Sequence, residues 1–538
     1  MSVTATYPTA ALDLDTDVLV LGGGPAGTWA ALSAARAGAR VVLADKGFCG
    51  TSGATAPSGT GVWYVPPDAE RRQAAYLSRD ALGGHLADRR WSMRVLELTH
   101  ASIELLAERG YPFPHDDRGA PAHGSLQGPE YMRLMRKLVK GAGVRVLDHS
   151  PALELLVDGD GAAAGARGVR RQRGDDWVVR AGAVVIATGG CAFLSRALGC
   201  NVLTGDGLLM AAELGAAFSG MEFSNAYAIS PAFASVTKTL LYKWATFTEP
   251  GGEPIPGAAS QGGRSVIARW LAKGPVYAQL DKAEPSLRES MREAQPNFFV
   301  PFDRVGIDPF TQRFPVTLRL EGTVRGTGGL RIVGDDCATT VPGLFAAGDA
   351  ATRELICGGF TGGGSHNAAW AISSGQWAGA GAADHGRRVR AGAGTTRVAA
   401  AAGTVALREG RAAAFSPEAV IRQVQDEVFP FETNYFRSGD KLGDSLGRLD
   451  GLWASLRTAD AASRDEAVRA REAAAMTAVA RWMYRSALAR TETRGMHRRE
   501  DHPQADPAQL HHVLSGGLDE VWTTPSSPLT RPQAELAA

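Results

Sequence analysis

The stretch Asp17-Val18-Leu19-Val20-Leu21-Gly22-Gly23-Gly24-Pro25-Ala26-Gly27 decides how this chain is read. Residues 17–21 form an almost wholly apolar run, the pattern of a strand buried on both faces of a parallel sheet. Four glycines then fall within six positions, and Ala and Leu recur at helical spacing through "TWAALSAARAGA". Gly38 closes that helix, and "RVVLAD" reads as a second buried strand, so the whole is a strand–helix–strand unit. In Gly22-x-Gly24-x-x-Gly27 the first glycine permits the tight turn and the second lets a diphosphate approach the backbone. The third lets the helix pack on the strand. Gly22, Gly24, Pro25, Ala26 and Gly27 thus line an expected dinucleotide site whose amides and helix dipole face the phosphates. Asp45 stands at the end of the second strand, placed to accept from ribose hydroxyls, with Lys46 beside it.

Two further segments favour FAD over NAD. "GTSGATAPSGTG" (50–61) is a long Gly/Ser/Thr loop with Thr51, Ser52, Gly53 and Ala54, suited to wrapping a diphosphate and a flavin edge. "VPGLFAAGDAA" sets Gly348 and Asp349 at a strand end, within reach of a ribityl chain. Thr188 and Gly189 in "VVIATGG", Asp206 in "NVLTGDGLLMAAELGA" and Ser365 complete the cofactor set.

The rest of the chain sets bounds. At 538 residues it exceeds one simple core, so two or three domains are expected. A formal net charge of +1 gives no electrostatic case for nucleic acid or an anionic membrane as main partner. Five scattered cysteines without a Cys-x-x-Cys pair argue against a disulfide framework, a zinc site or an iron–sulfur cluster in this chain; reduced thiols fit a cytoplasmic protein. Residues 1–15, with Asp13 and Asp15, read as a flexible tail rather than a signal peptide, and no apolar stretch has the length of a membrane span. The expected domains are an FAD-binding domain at 16–220 plus 323–385 and a capping domain at 221–322. A linker at 386–414 and a C-terminal helical domain with a mobile tail at 415–538 follow.

These segments, with "GTGGLRI" and "ALARTETRGMHRREDHPQAD" (487–506), run in the order found in one family. The chain resembles the flavoprotein-subunit superfamily of succinate dehydrogenase and fumarate reductase, which includes L-aspartate oxidase and the adenylylsulfate reductase α-subunit. The resemblance implies an α/β fold: a Rossmann-like FAD-binding domain, an inserted α+β capping domain and a C-terminal helical domain. The substrate would lie between FAD and cap.

It also implies a cap arginine that carries a proton while hydride passes between flavin N5 and substrate. "GGRSVIARWLAKGPVYAQLD" puts that arginine at Arg264, with Arg269 one turn on as second candidate. A proton role demands a strongly lowered pKa, and simple anion binding is the competing role. The family's dicarboxylate clamp is largely absent. Ser224 and Asn225 stand near one expected histidine, Val324 replaces another, Cys357 a third, and Thr361 replaces an arginine. Losing such charge-assisted hydrogen bonds, each worth about 1.5–3 kcal/mol, weighs against a standard C4 dicarboxylate. Asn225, Tyr227, Arg269, Cys357 and Thr361 remain as substrate-side candidates, with Arg325 and His366 as further catalytic candidates. His366 fits a general acid/base, a flavin hydrogen bond or a helix cap equally well. Lys238 and Lys243 face either an anion or solvent. The covalent-flavin histidine is replaced by Cys49-Gly50-Thr51-Ser52, so FAD is expected to be non-covalent.

The reading is an FAD-dependent oxidoreductase acting on a C–C or C–N bond of a small polar metabolite. The electron acceptor (dioxygen, quinone or an iron–sulfur protein), the direction of reaction and any homo-oligomer stay open. The alternatives are a catalytic α-subunit resembling that of adenylylsulfate reductase and working with an iron–sulfur partner, and a non-catalytic flavin-binding assembly subunit.

Overall fold

The computed structural model describes residues 10–113, 119, 121–237, 239–361, 365–392, 400–401, 405, 408–409, 416–457, 460–461 and 463–529. Most of the expected tail and linker, Lys238 and the glycines at 362–364 lie outside the described residues.

Strand β1 (Leu12–Leu21), helix α1 (Pro25–Arg36) and strand β2 (Val41–Ala44) form the unit that the opening stretch implies. β1 pairs parallel with β2 on one side and with Asp175–Ile186 on the other, at the centre of an eight-stranded sheet. Val18, Leu19 and Val20 are wholly buried, as a strand covered on both faces requires. Arg40 closes the β1–β2 connection by a forked pair with Asp17. The twelve-residue strand Asp175–Ile186 takes Ala163–Arg170 antiparallel along its first half and Leu344–Ala346 parallel along its second. Leu344–Ala346 thus brings residue 348 back to the glycine loop from more than three hundred positions away.

The structure differs from the sequence reading in four places. Residues 12–15, expected in the tail, are strand, and Arg180 anchors Asp13. The strand Ala163–Arg170 has almost no β-branched residues and went unread. Its glycines serve close packing: a Cβ on Gly168 would lie 2.0 Å from the Pro151 carbonyl oxygen. The C-terminal stretch expected to be mobile contains strands Val513–Gly516 and Trp522–Pro525, which join Phe218–Ser219 and Gly329–Leu330 in one sheet. Residues 386–392 end the long helix Ser365–Gly392 rather than opening a linker.

Residues 226–321 build their own antiparallel sheet from Ala226–Pro231, Phe314–Glu321, Val276–Gln279 and Thr246–Thr248, in that spatial order. An aromatic cluster of Tyr242, Phe298, Phe299, Phe302, Phe310 and Phe314 supplies the core beneath it. Helices Pro417–Val428, Gly439–Leu456 and Arg464–Ala489 follow. Arg464–Ala489 is tied to the first layer by a buried forked pair, Arg471–Glu213, at 2.5 and 2.7 Å.

Candidate active site

A single continuous cavity of about 1670 Å³ runs from the glycine loop to the 226–321 sheet. One drug-sized ligand fills roughly 300–1,000 Å³ of pocket, so the space suits a dinucleotide and a second molecule.

The first half is a backbone cradle. Gly22 has φ +109°, and a Cβ there would lie 2.2 Å from the Ala187 carbonyl oxygen. A Cβ on Gly27 would lie 1.8 Å from the Gly22 carbonyl oxygen, so Gly27 seats α1 on the turn rather than touching the cavity. A Cβ on Gly24 would meet no protein atom within 4 Å; Gly24 lines the cavity, where only a ligand would compete for that space. Pro25 and Ala26 line it too, at the first turn of α1. The cradle therefore fits a diphosphate.

Asp45 accepts from the Gly23 amide, from the Gly47 amide at 2.7 Å and from Ser52 Oγ at 2.7 Å. Four lone-pair sites on a carboxylate leave one for a ribose hydroxyl. Lys46 Nζ bridges Asp206 (2.7 Å) and Glu472 (2.6 Å), so a lysine from the first unit meets the C-terminal helix beside the cradle. Ser52, Gly53, Ala54, Thr188, Gly189, Gly348, Asp349 and Ser365 all line the cavity, and Arg353 pairs with Asp349. Thr51 does not: it is exposed and bonds back to Phe48. Cys49 is wholly buried, and burial pushes its thiol up to about 12, leaving no thiolate near neutrality.

On the other side Arg264 opens the helix Arg264–Leu271 and lines the cavity. Its Nε donates to the Ser260 carbonyl at 2.9 Å and one Nη to the Tyr227 carbonyl at 3.4 Å. No carboxylate pairs with it among the described residues, and burial, aided by the nearby Arg325, pushes its pKa down to about 10. Arg325 lines the same wall 3.2 Å from the fully buried Glu321, whose other oxygen accepts from Thr237 at 2.6 Å. Glu321 escaped the sequence reading, because a lone acid in a strand carries no motif.

Several expected substrate-side residues are used otherwise. Asn225 Nδ2 donates to the Asn434 and Met496 carbonyls, and Tyr227 OH donates to Val428 O at 2.9 Å. Both line the cavity, yet their donors stitch the cap sheet to the C-terminal segments. Thr361 lines it and donates to the Arg325 carbonyl at 2.6 Å. Three candidates lie off the cavity wall. Cys357 is fully buried with its Sγ on the Arg353 carbonyl. Arg269 is exposed, pairs with Glu500 at 3.0 Å and covers the Phe436 ring. His366 is buried against Trp63, ring centroids 4.8 Å apart. Burial, reinforced by Arg79 and Arg353, pushes His366 down to about 3, so it is neutral at working pH and carries no proton to the cavity.

Comparison with known proteins follows this division. A family model described as an FAD binding domain matches residues 17–231, and one described as fumarate reductase flavoprotein C-term matches residues 427–523. L-aspartate oxidase from Streptomyces coelicolor is 28% identical over 537 residues, covering 91% of this chain and 89% of that protein. Urocanate reductase from Eggerthella lenta is 29% identical over 43% of each chain. Among solved structures, E. coli quinol fumarate reductase FrdA superposes with a TM-score of 0.77 at 22% identity, covering 97% of this chain and 98% of that one. Adenylylsulfate reductase from Archaeoglobus fulgidus does so with 0.73 at 18%, covering 98% and 99%. These structures share the fold. Among the described residues no helix is long and apolar enough to cross a membrane. With matching models at both ends and relatives aligned along nearly its whole length, the chain belongs to the succinate dehydrogenase/fumarate reductase flavoprotein superfamily and is an FAD-dependent oxidoreductase.

Proposed function

We propose that this oxidoreductase holds FAD non-covalently and exchanges a hydride with a small polar metabolite that is not a standard C4 dicarboxylate. The observation that carries the reading is Arg264: a half-buried guanidinium on the cavity wall across from the cradle, with no carboxylate paired to it among the described residues. Bound FAD supplies the two-electron centre for a C–C or C–N bond. Arg264 orients the substrate and exchanges a proton with it, a role that its lowered pKa favours. The dicarboxylate is disfavoured because Ser224, Val324, Cys357 and Thr361 place no cation where the resemblance implies histidines and an arginine. The relatives are oxidoreductases, which leaves the non-catalytic reading without support.

The test is anaerobic mixing of the yellow holoenzyme with amine, amino-acid and hydroxy-acid donors, following loss of oxidised-flavin absorbance. The reduced enzyme is then offered unsaturated acids as acceptors. Arg264→Ala should slow the responding reaction roughly 10²–10⁴-fold with FAD content unchanged. No response to any donor or acceptor, or full activity in Arg264→Ala, would sink the proposal. Reoxidation by dioxygen alone marks a self-sufficient oxidase; dependence on a ferredoxin-like protein marks the iron–sulfur-partnered alternative.

A further inference from the structure

Arg79 belongs to no sequence motif. It lies in the last turn of the helix Ala69–Leu82, three residues after the fully buried Tyr76 and so on the inward side of that helix. The helix ends at Gly83, which is pressed onto the turn at 357–359. The Gly359 amide donates to the Gly83 carbonyl at 2.8 Å, and a Cβ on Gly83 would lie 2.3 Å from the Cys357 carbonyl oxygen. This contact delivers Arg79 to the cavity, which it lines.

Its guanidinium is half-buried, and no hydrogen bond or ion pair engages it among the described residues. The adjacent carboxylate of Asp80 turns to His85 Nδ1 at 2.9 Å and to the Ala87 amide at 3.2 Å. Of the other cations lining the cavity, Lys46 is matched by Asp206 and Glu472 and Arg325 by Glu321, whereas Arg264, Lys243 and Arg498 have no ion pair among the described residues. The positive field of Arg79 is felt locally, since it helps to depress His366. A half-buried guanidinium facing a cavity is costly without an anion, and its planar fork matches a carboxylate.

We infer that Arg79 is a substrate-binding residue that seats a carboxylate group, so the substrate of the proposed reaction is a small organic acid. Arg79 reaches the cavity from the FAD-domain side and Arg264 from the 226–321 side, and the acid lies between them. The charge removed by Cys357 and Thr361 is thus restored from a different helix. The inference rests on the cavity being the substrate site.

The probe is malonate, with neutral malonamide as control, titrated into the holoenzyme while the flavin difference spectrum is recorded. A saturable response to malonate and none to malonamide is expected. Arg79→Gln should weaken malonate roughly 10- to 100-fold, the worth of one charge-assisted pair, with FAD content unchanged. If that variant fails to fold, Arg79→Lys decides: losing the fork should cost about threefold or more. Unchanged affinity in the folded variant, an equal response to malonamide, or no response to malonate overturns the inference. Malonate binding through Arg79 without flavin turnover would instead fault the proposed reaction and leave the anion site standing.

Discussion

The two halves of the cavity are built by different means. The cofactor half is mostly backbone: a turn, the first turn of α1 and strand ends, with glycines where side chains would collide. The opposite half is made of side chains carried by distant elements, Arg79, Arg264, Glu321 and Arg325 among them. A backbone site tolerates little substitution and leaves a local signature. A side-chain site can be rebuilt from another helix, as the contact that delivers Arg79 illustrates.

Four tests break or sharpen that contrast, taken from the largest expected effect. Lys46→Met would leave the Asp206 carboxylate beside the cradle without its cation, while Glu472 keeps Arg469. A loss of about 3 kcal/mol of stability is expected, read as a lower denaturation midpoint, because an unpaired buried charge is costly. No loss would mean that the cradle stands without the C-terminal helix and is more local than drawn here. Next, Gly27→Ala should lower the melting temperature even of apoprotein, by about 1–3 kcal/mol of overpacking. Gly24→Ala should leave apoprotein stability nearly unchanged yet weaken FAD. If both variants behave alike, the assignment of turn, cradle and helix seat is wrong.

The third test concerns the floor beneath the second half. Glu222 is fully buried; burial, with Glu354 beside it, raises its pKa to about 7 against the opposing pull of Arg490. A carboxyl whose pKa is raised by folding stabilises fully below its unfolded value near 4.5, and that contribution is lost as pH rises through about 7. Melting temperatures of Glu222→Gln between pH 5 and 8 should fall less steeply than those of the wild type. Parallel profiles would show that another group titrates. Smallest of all, Arg269→Ala should change stability by less than about 1 kcal/mol and leave flavin reduction intact, as an exposed pair with Glu500 allows. A large loss of activity there would overturn the choice of Arg264 over Arg269.

Much of the cofactor half could be read in advance. Gly22, Gly24, Gly27 and Asp45 act within one strand–helix–strand unit, and period and spacing reveal such units. Asp349 was legible for the same reason, at the end of an apolar strand. The strand Ala163–Arg170 was not, because its Ala and Gly residues are chosen for contact with neighbouring strands rather than for β propensity. The C-terminal strands were not, because Val513–Gly516 pairs with Phe218–Ser219 nearly three hundred residues away and Trp522–Pro525 pairs only with Val513–Gly516. On the substrate side Arg264 lines the cavity, whereas Asn225, Tyr227, Cys357 and His366, expected there too, are used otherwise. Their polar atoms are spent on protein carbonyls or sealed in the core.

The sequence by itself determined the cofactor and the superfamily, because a diphosphate is bound by consecutive backbone groups whose requirements appear as consecutive residues. Only the tertiary structure decided which side chains share the cavity. It set Cys357 and His366 off the cavity wall and Lys46 between two carboxylates, and brought Arg79 to the wall through the packing of Gly83 on the turn at 357–359. Such meetings depend on how helices pack, and no spacing along the chain records them.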